Sequence, residues 1–210
     1  MEFIFLFLIL PFFIYWCINE KTGLQFSIVV LLSVWTIFLY EYLGENIPFN
    51  IDFRWFIIAI IFCGYLFLRD KIEALLFTGG FRAKMIASAI LSFVMLLYLP
   101  GKELLIPGGI MLGLCTGYCI NKRYTGYKAS NYSGRTGLKK YIVLFVRLLL
   151  GLTGFFLIFF ATGKIIPEDS ANYKLFGFVQ AALCGFWVSA ASPWIFVKLR
   201  LTGVEQKQNA

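Results

Sequence analysis

An all-α bundle of helices embedded in a membrane is the fold class this chain predicts, and two observations carry that prediction. Of its 210 residues 60% are hydrophobic and 14% charged, with a mean hydropathy of +0.81. Soluble domains run at about 45–50% apolar and roughly a quarter charged. The second observation is placement: the basic residues fall between long apolar runs. The formal charge of +8 therefore reads as the loops of a polytopic membrane protein, and no nucleic-acid partner is expected.

A span takes about 20 apolar residues, with roughly 17–25 usual. Seven stretches qualify: 3–18, 24–43, 53–68, 85–99, 104–120, 141–162 and 174–197. Met1-Glu2 offers no basic n-region, and Cys17 follows Ile14-Tyr15-Trp16, too bulky for a lipoprotein signal. The first stretch is therefore expected to stay as a membrane segment. The third, fourth and fifth are short. Pro100-Gly101-Lys102-Glu103 joins the fourth to the fifth, as a hairpin between two full spans or within a partly re-entrant pair.

Charge sets the expected orientation. Lys21, Arg69, Lys71, Arg82, Lys84, the six cations of 121–140, Lys198, Arg200 and Lys207 fall on one side, fourteen of the nineteen Lys and Arg. Arg54, Lys102, Lys164 and Lys174 fall on the other, and Arg147 lies inside a span. The positive-inside rule places the N-terminus outside and the C-terminus in the cytoplasm. Residues 1–200 read as one transmembrane domain and 201–210 as a flexible cytoplasmic tail, with 129–138 the other loose-looking stretch.

The stretch around the fifth span is the most distinctive. Gly109, Gly113 and Gly117 recur every four residues, which on a helix makes a stripe without side chains, suited to close helix packing. Gly151 and Gly154 offer a second smooth surface, and Gly185, Ser189, Ala190, Ala191 and Ser192 a third, just ahead of Pro193, which should kink the last span. Trp16, Trp35, Trp55, Trp187 and Trp194 read mostly as interfacial anchors.

Chemistry is sparse. The chain has no His, the commonest general base and metal ligand. Its five cysteines, at 17, 63, 115, 119 and 184, lie in apolar runs and imply no disulfide framework. Cys115 and Cys119 share a helix face and read as packing residues, because two thiolates with no third ligand make a poor metal site. Arg147 sits seven residues past Lys140, about 10 Å along a helix. Either it meets a lipid phosphate near the inner leaflet, or its stem snorkels to the interface. Lys122, Arg123, Lys128, Arg135, Lys139 and Lys140 are candidate contacts for anionic head groups, although topology alone also explains them. No spacing composes a catalytic site, a metal site or a cofactor site.

Several phrases carry a family resemblance. Residues 15–49, from Tyr15-Trp16-Cys17-Ile18-Asn19-Glu20 to Gly44-Glu45-Asn46-Ile47-Pro48-Phe49, together with Asp70-Lys71-Ile72-Glu73, Gly113 through Tyr124, Arg147 through Leu152 and Gly185-Phe186-Trp187-Val188-Ser189 with Pro193-Trp194, resemble bacterial type 2 phosphatidic acid phosphatases. Residues 1–52 resemble the early helices of that family. Residues 53–200 resemble its last core helix plus the C-terminal membrane extension that some members carry. The resemblance implies a multi-pass protein of the bacterial cytoplasmic (inner) membrane.

The chain departs from the family's motifs. Where the first motif has a Lys, six residues and then Arg-Pro, the matching positions are Tyr40, Ile47 and Pro48. The Pro-Ser-Gly-His and Ser-Arg…His motifs find no counterpart. Phosphoryl transfer in the family uses a His nucleophile, a His acid and cations that stabilise the phosphoryl charge, so the resemblance implies a relative that does not catalyse. Such a protein would hold a lipid, as an anionic phospholipid or an isoprenoid phosphate, with Arg147, Lys122 and Arg123 the candidate contacts. Otherwise it would pack against a partner membrane protein or a second copy. Two other readings stay open. A small lipid or solute permease would line a path with Thr116, Thr153, Gln180, Ser189 and Ser192. A divergent phosphatase would use Glu41, Glu45 and Asp52 with a metal.

Overall fold

The computed structural model describes residues 2–43, 80–81, 85–87, 89–90, 92–93, 105–132, 137–165 and 173–202. Among them there is helix and connecting turn, with no β-strand. The expected span 53–68, most of 85–99, and with them the seven-span count and the side on which each terminus lies, fall outside what these residues determine. Among the described residues three helices are long and apolar enough to cross a membrane, over Glu20–Phe38, Leu138–Thr162 and Leu175–Lys198.

Helices α1 (Glu2–Cys17) and α2 (Glu20–Leu43) form a hairpin. The turn is tighter than the run of Asn19 to Gly23 suggests. Asn19 caps α2, its Oδ1 accepting the Lys21 and Thr22 N–H groups at 2.9 and 3.2 Å, and the acidic Glu20 sits favourably in the first turn. The two helices can close so soon after the turn because Gly23 lies against the Tyr15 backbone. A Cβ there would stand 2.3 Å from the Tyr15 nitrogen.

Helix α3 (Leu105–Ile120) continues into a wide π-helical turn, Asn121–Thr125. The turn closes when the Gly126 N–H bonds the Asn121 carbonyl at 2.9 Å, with Gly126 left-handed at φ 62°. Helix α4 (Leu138–Ile165) follows, and then α5 (Tyr173–Phe186), a second π-helical turn (Trp187–Ala191) and α6 (Ser192–Lys198) as one rod. The rod ends in a Schellman motif. Arg200, left-handed at φ 54°, donates its N–H to the Val197 carbonyl, and the Leu201 N–H reaches the Phe196 carbonyl at 2.8 Å.

The glycine stripe of α3 faces this rod. A Cβ on Gly109 would meet the Phe178 carbonyl at 2.5 Å, one on Gly113 the Ala182 carbonyl at 2.0 Å, and one on Gly117 the Ser189 hydroxyl at 2.0 Å. The approach is reciprocal, since a Cβ on Gly185 would stand 2.3 Å from the Ile110 carbonyl. The stripe and the patch around Gly185 are thus the two sides of one interface. Gly151 and Gly154 serve differently: each seats an indole, of Trp16 and Trp187 respectively.

Those indoles correct the expectation that the tryptophans are interfacial anchors. Trp16 is fully buried and donates from Nε1 to the Val188 carbonyl at 2.9 Å, while Trp187 donates to the Gly151 carbonyl at 3.0 Å. Trp194 is exposed, with the Lys198 ammonium 4.9 Å from its ring, as an anchor would be.

The wide turn at Trp187–Ala191 has a local cause. Pro193 has no N–H to return to the Val188 or Ser189 carbonyls. Side chains from α1 take over that role. Trp16 reaches the first carbonyl, and the Tyr15 hydroxyl donates to the second at 3.0 Å. In an apolar surrounding a carbonyl left bare is costly, so α1 locks onto the rod where the rod's own ladder is broken. Around this lock lies the core of Phe12, Leu114, Phe155 and Phe196.

Candidate functional site

Those cations singled out in the sequence that lie in the described residues collect at the end of the bundle where α1 stops, α3 turns and the α5–α6 rod ends; Arg135 lies outside them. Arg147 stands in the middle, with no exposed surface. Its Nη1 donates to the carbonyls of Trp16 (3.2 Å) and Ala129 (2.7 Å), and its Nη2 to those of Asn131 (3.0 Å) and Leu201 (2.6 Å). The rings of Tyr132 and Tyr127 flank the guanidinium, with centroids at 5.2 and 5.8 Å.

This clasp follows from the chain ends that meet there. α1 stops at Cys17, so its last carbonyls have no further turn to bond and carry the negative end of the helix dipole. The Ile14 carbonyl is met by the Ile18 and Asn19 N–H groups. The Trp16 carbonyl is met by Arg147 and the Tyr127 hydroxyl, and the Cys17 carbonyl by the Tyr132 hydroxyl at 2.7 Å. Glu20 accepts the Ala129 N–H at 3.0 Å, and the Thr202 hydroxyl lies 2.8 Å from the Lys128 and Asn131 carbonyls. Burial pushes the Tyr127 hydroxyl well above the ordinary phenol range, and the nearby guanidinium only partly offsets that.

Arg147 therefore differs from both sequence expectations. It neither snorkels nor presents itself to a head group, because four carbonyls from three segments already occupy its terminal nitrogens. The described beginnings of two stretches expected to be loose, 129–132 and 201–202, are held by the same contacts; residues 133–136 lie outside the described set. Ala129 is fully buried, and Leu201 and Thr202, assigned to the tail, are packed; residues 203–210 lie outside the described set.

Lys122 and Arg123 are placed otherwise. Both are exposed on the π-helical turn after α3, at the mouth of a groove of about 230 Å³ whose other walls are Phe81, Tyr118 and Cys119. The Arg123 guanidinium stacks 4.7 Å from the Phe81 centroid and 5.4 Å from that of Tyr124. A planar, pre-oriented guanidinium beside a lysine over an apolar slot matches the two halves of a lipid phosphate. The fork meets the phosphate oxygens and the slot meets hydrocarbon.

The remaining candidates sort themselves by their partners. The Thr116 hydroxyl returns to the Leu112 carbonyl at 2.6 Å, Gln180 donates to the Phe159 carbonyl at 2.6 Å, Ser189 to the Gly113 carbonyl at 3.1 Å and Ser192 to the Val188 carbonyl at 3.1 Å. Gln180 and Ser189 thus bond across to a neighbouring helix, while Thr116 and Ser192 return to the turn before their own. Thr153 is exposed on α4. Cys17, Cys115, Cys119 and Cys184 are buried and in no disulfide, and no cluster of metal-ligating side chains occurs among the described residues. Tyr40 and Glu41 lie on the last turns of α2, while Glu45, Ile47, Pro48 and Asp52 lie outside the described residues.

Neither the curated proteins nor the solved structures provide a match to the chain. A family model, the transmembrane extension of PAP2 superfamily phosphatases, matches residues 106–206. That interval, just under half of the chain, runs from the start of α3 to residue 206 and holds the glycine stripe, Arg147 and every wall of the Lys122–Arg123 groove except Phe81. Residues 106–206 of this membrane protein are thus similar to the transmembrane extension of PAP2 superfamily phosphatases.

Proposed function

We propose that the chain is a non-catalytic relative of the lipid phosphatases that holds an anionic phospholipid or an isoprenoid phosphate in the bacterial cytoplasmic membrane. The observation that carries this reading is the groove at the end of α3. There Lys122 and the ring-stacked guanidinium of Arg123 stand over an apolar slot walled by Phe81, Tyr118 and Cys119. The family match supports the lipid-phosphatase side of the reading. The non-catalytic side rests on a chain with no His, since the family's phosphoryl transfer needs a His nucleophile. In this reading seven spans place the groove, α1's end and the tail on the cytoplasmic side, as the positive-inside count requires.

The test uses the purified full chain, mixed in detergent with phosphatidic acid and passed over a sizing column. The reading expects lipid to travel with the protein and no inorganic phosphate to be released. Steady phosphate release would overturn the non-catalytic part, and elution free of lipid would overturn the binding part.

A further inference from the structure

Helix α4 is hollowed on one face, away from the Lys122–Arg123 groove. Two cavities open on this helix. One, of about 280 Å³, is lined by Lys139, Ile142, Val143, Val146 and Leu201. The other, of about 190 Å³, is lined by Leu150, Thr153, Gly154 and Leu157 of α4, with Trp187, Ser192, Ile195 and Phe196 opposite.

The α4 members of the two cavities recur at three- and four-residue steps from 139 to 157. At 3.6 residues per turn they all fall on one face of the helix. The opposite wall runs back along the rod in the reverse order, from Leu201 through Phe196 and Ser192 to Trp187. The cavities are therefore successive segments of a single seam between α4 and the α5–α6 rod.

The seam has a polar end and an apolar body. Its mouth carries Lys139, at the end of the bundle where Lys140, Lys198 and Arg200 also lie. Its body is hydrocarbon-like down to the indole of Trp187, seated on Gly154. The wall at the mouth is rigid, because the Leu201 carbonyl is one of the four that Arg147 holds at 2.6 Å. Half of a hydrocarbon core of about 30 Å is about 10 residues of helix. A chain anchored at Lys139 thus reaches the level of Leu149 and Leu150, where the second cavity begins.

We infer that this seam binds one anionic phospholipid, its phosphate at Lys139 and an acyl chain lying between α4 and the rod. The cationic mouth commits the occupant to an anionic head group, and the walls beyond it, apolar apart from Thr153 and Ser192, commit its body to an acyl chain.

Native mass spectrometry of the full chain tests this, using phosphatidylglycerol added in detergent and phosphatidylcholine as the control. Lys139→Glu and Val146→Trp, the first reversing the charge and the second filling the seam, should each retain one phosphatidylglycerol fewer than the unmodified chain. The double variant Lys122→Ala/Arg123→Ala should keep the seam lipid. The inference is overturned if whichever of Lys139→Glu and Val146→Trp folds, judged by an unchanged helical spectrum and melting midpoint, retains the full complement. It is also overturned if phosphatidylcholine is retained as well as phosphatidylglycerol.

Discussion

The Tyr15 hydroxyl stands 3.0 Å from the Ser189 carbonyl, the very carbonyl that Pro193, four residues further on, has no N–H to meet. A helix break in the last rod is thus repaired by the first helix. Tyr15→Phe should leave this carbonyl buried without a donor and lower stability by about 1–3 kcal/mol. Pro193→Ala restores an amide at the break, so the same Tyr15→Phe change should cost less in that background. Melting midpoints of the four members of this cycle, in one detergent, measure the coupling; strictly additive effects would contradict the repair.

Arg147 is expected to be the most sensitive cation in the chain. Arg147→Lys keeps a charge but cannot fork to four carbonyls at once. Each carbonyl left without a donor costs about 1–3 kcal/mol. Arg147→Lys should therefore lower folded yield and melting temperature far more than Lys139→Ala or Lys122→Ala, whose side chains are exposed. Fluorescence-detected size exclusion of the variants side by side is the check.

Two glycines on neighbouring helices should respond in opposite ways. Gly113→Ala drives a Cβ to within 2.0 Å of the Ala182 carbonyl and 2.6 Å of the Phe186 nitrogen, both backbone atoms that cannot swing aside. Overpacking of this kind costs about 1–3 kcal/mol or more. Gly177→Ala on α5 meets nothing within 4 Å and should be neutral or gain up to about 1 kcal/mol of helix propensity. Thermal melts of the two purified variants distinguish them.

How much of this was readable in the sequence differs from feature to feature. The apolar run 104–120 and helix α3 agree to a residue, because an apolar stretch bounded by Pro100-Gly101 and Asn121-Lys122-Arg123 leaves little freedom. The four-residue glycine spacing is visible as a smooth stripe, but its partner surface around Gly185 lies some seventy residues away and no local pattern names it. The depth of Arg147 was legible as unusual; its partners at Trp16, Ala129, Asn131 and Leu201 come from three separate segments, which hydropathy cannot connect. Trp16 was misread because an indole at a helix end fits an interface equally well until Gly151 is seen beneath it. Pro193 announced a break, and nothing near it announced that Tyr15 and Trp16 would cover the exposed carbonyls.

Alkaline pH should weaken the clasp through Tyr127. Burial raises its hydroxyl above the ordinary phenol value of 10.0, so the folded state holds that proton more tightly than the unfolded chain does. The associated stability is fully present below about pH 10 and is lost as pH rises through the folded value. The melting temperature of the unmodified chain should accordingly fall more steeply above about pH 10 than that of Tyr127→Phe, which has no proton to lose there. Parallel pH slopes for the two would contradict this role.

The central claim, that a lipid phosphate sits over the Lys122–Arg123 groove, is tested most directly by counting lipids on the intact chain. Native mass spectrometry of protein gently extracted from its own membrane should show a retained phospholipid or isoprenoid phosphate. Lys122→Ala/Arg123→Ala should retain one such lipid fewer while keeping the melting temperature of the unmodified chain. Retention of the same lipid at the same stoichiometry by that folded double variant would contradict the assignment of the groove.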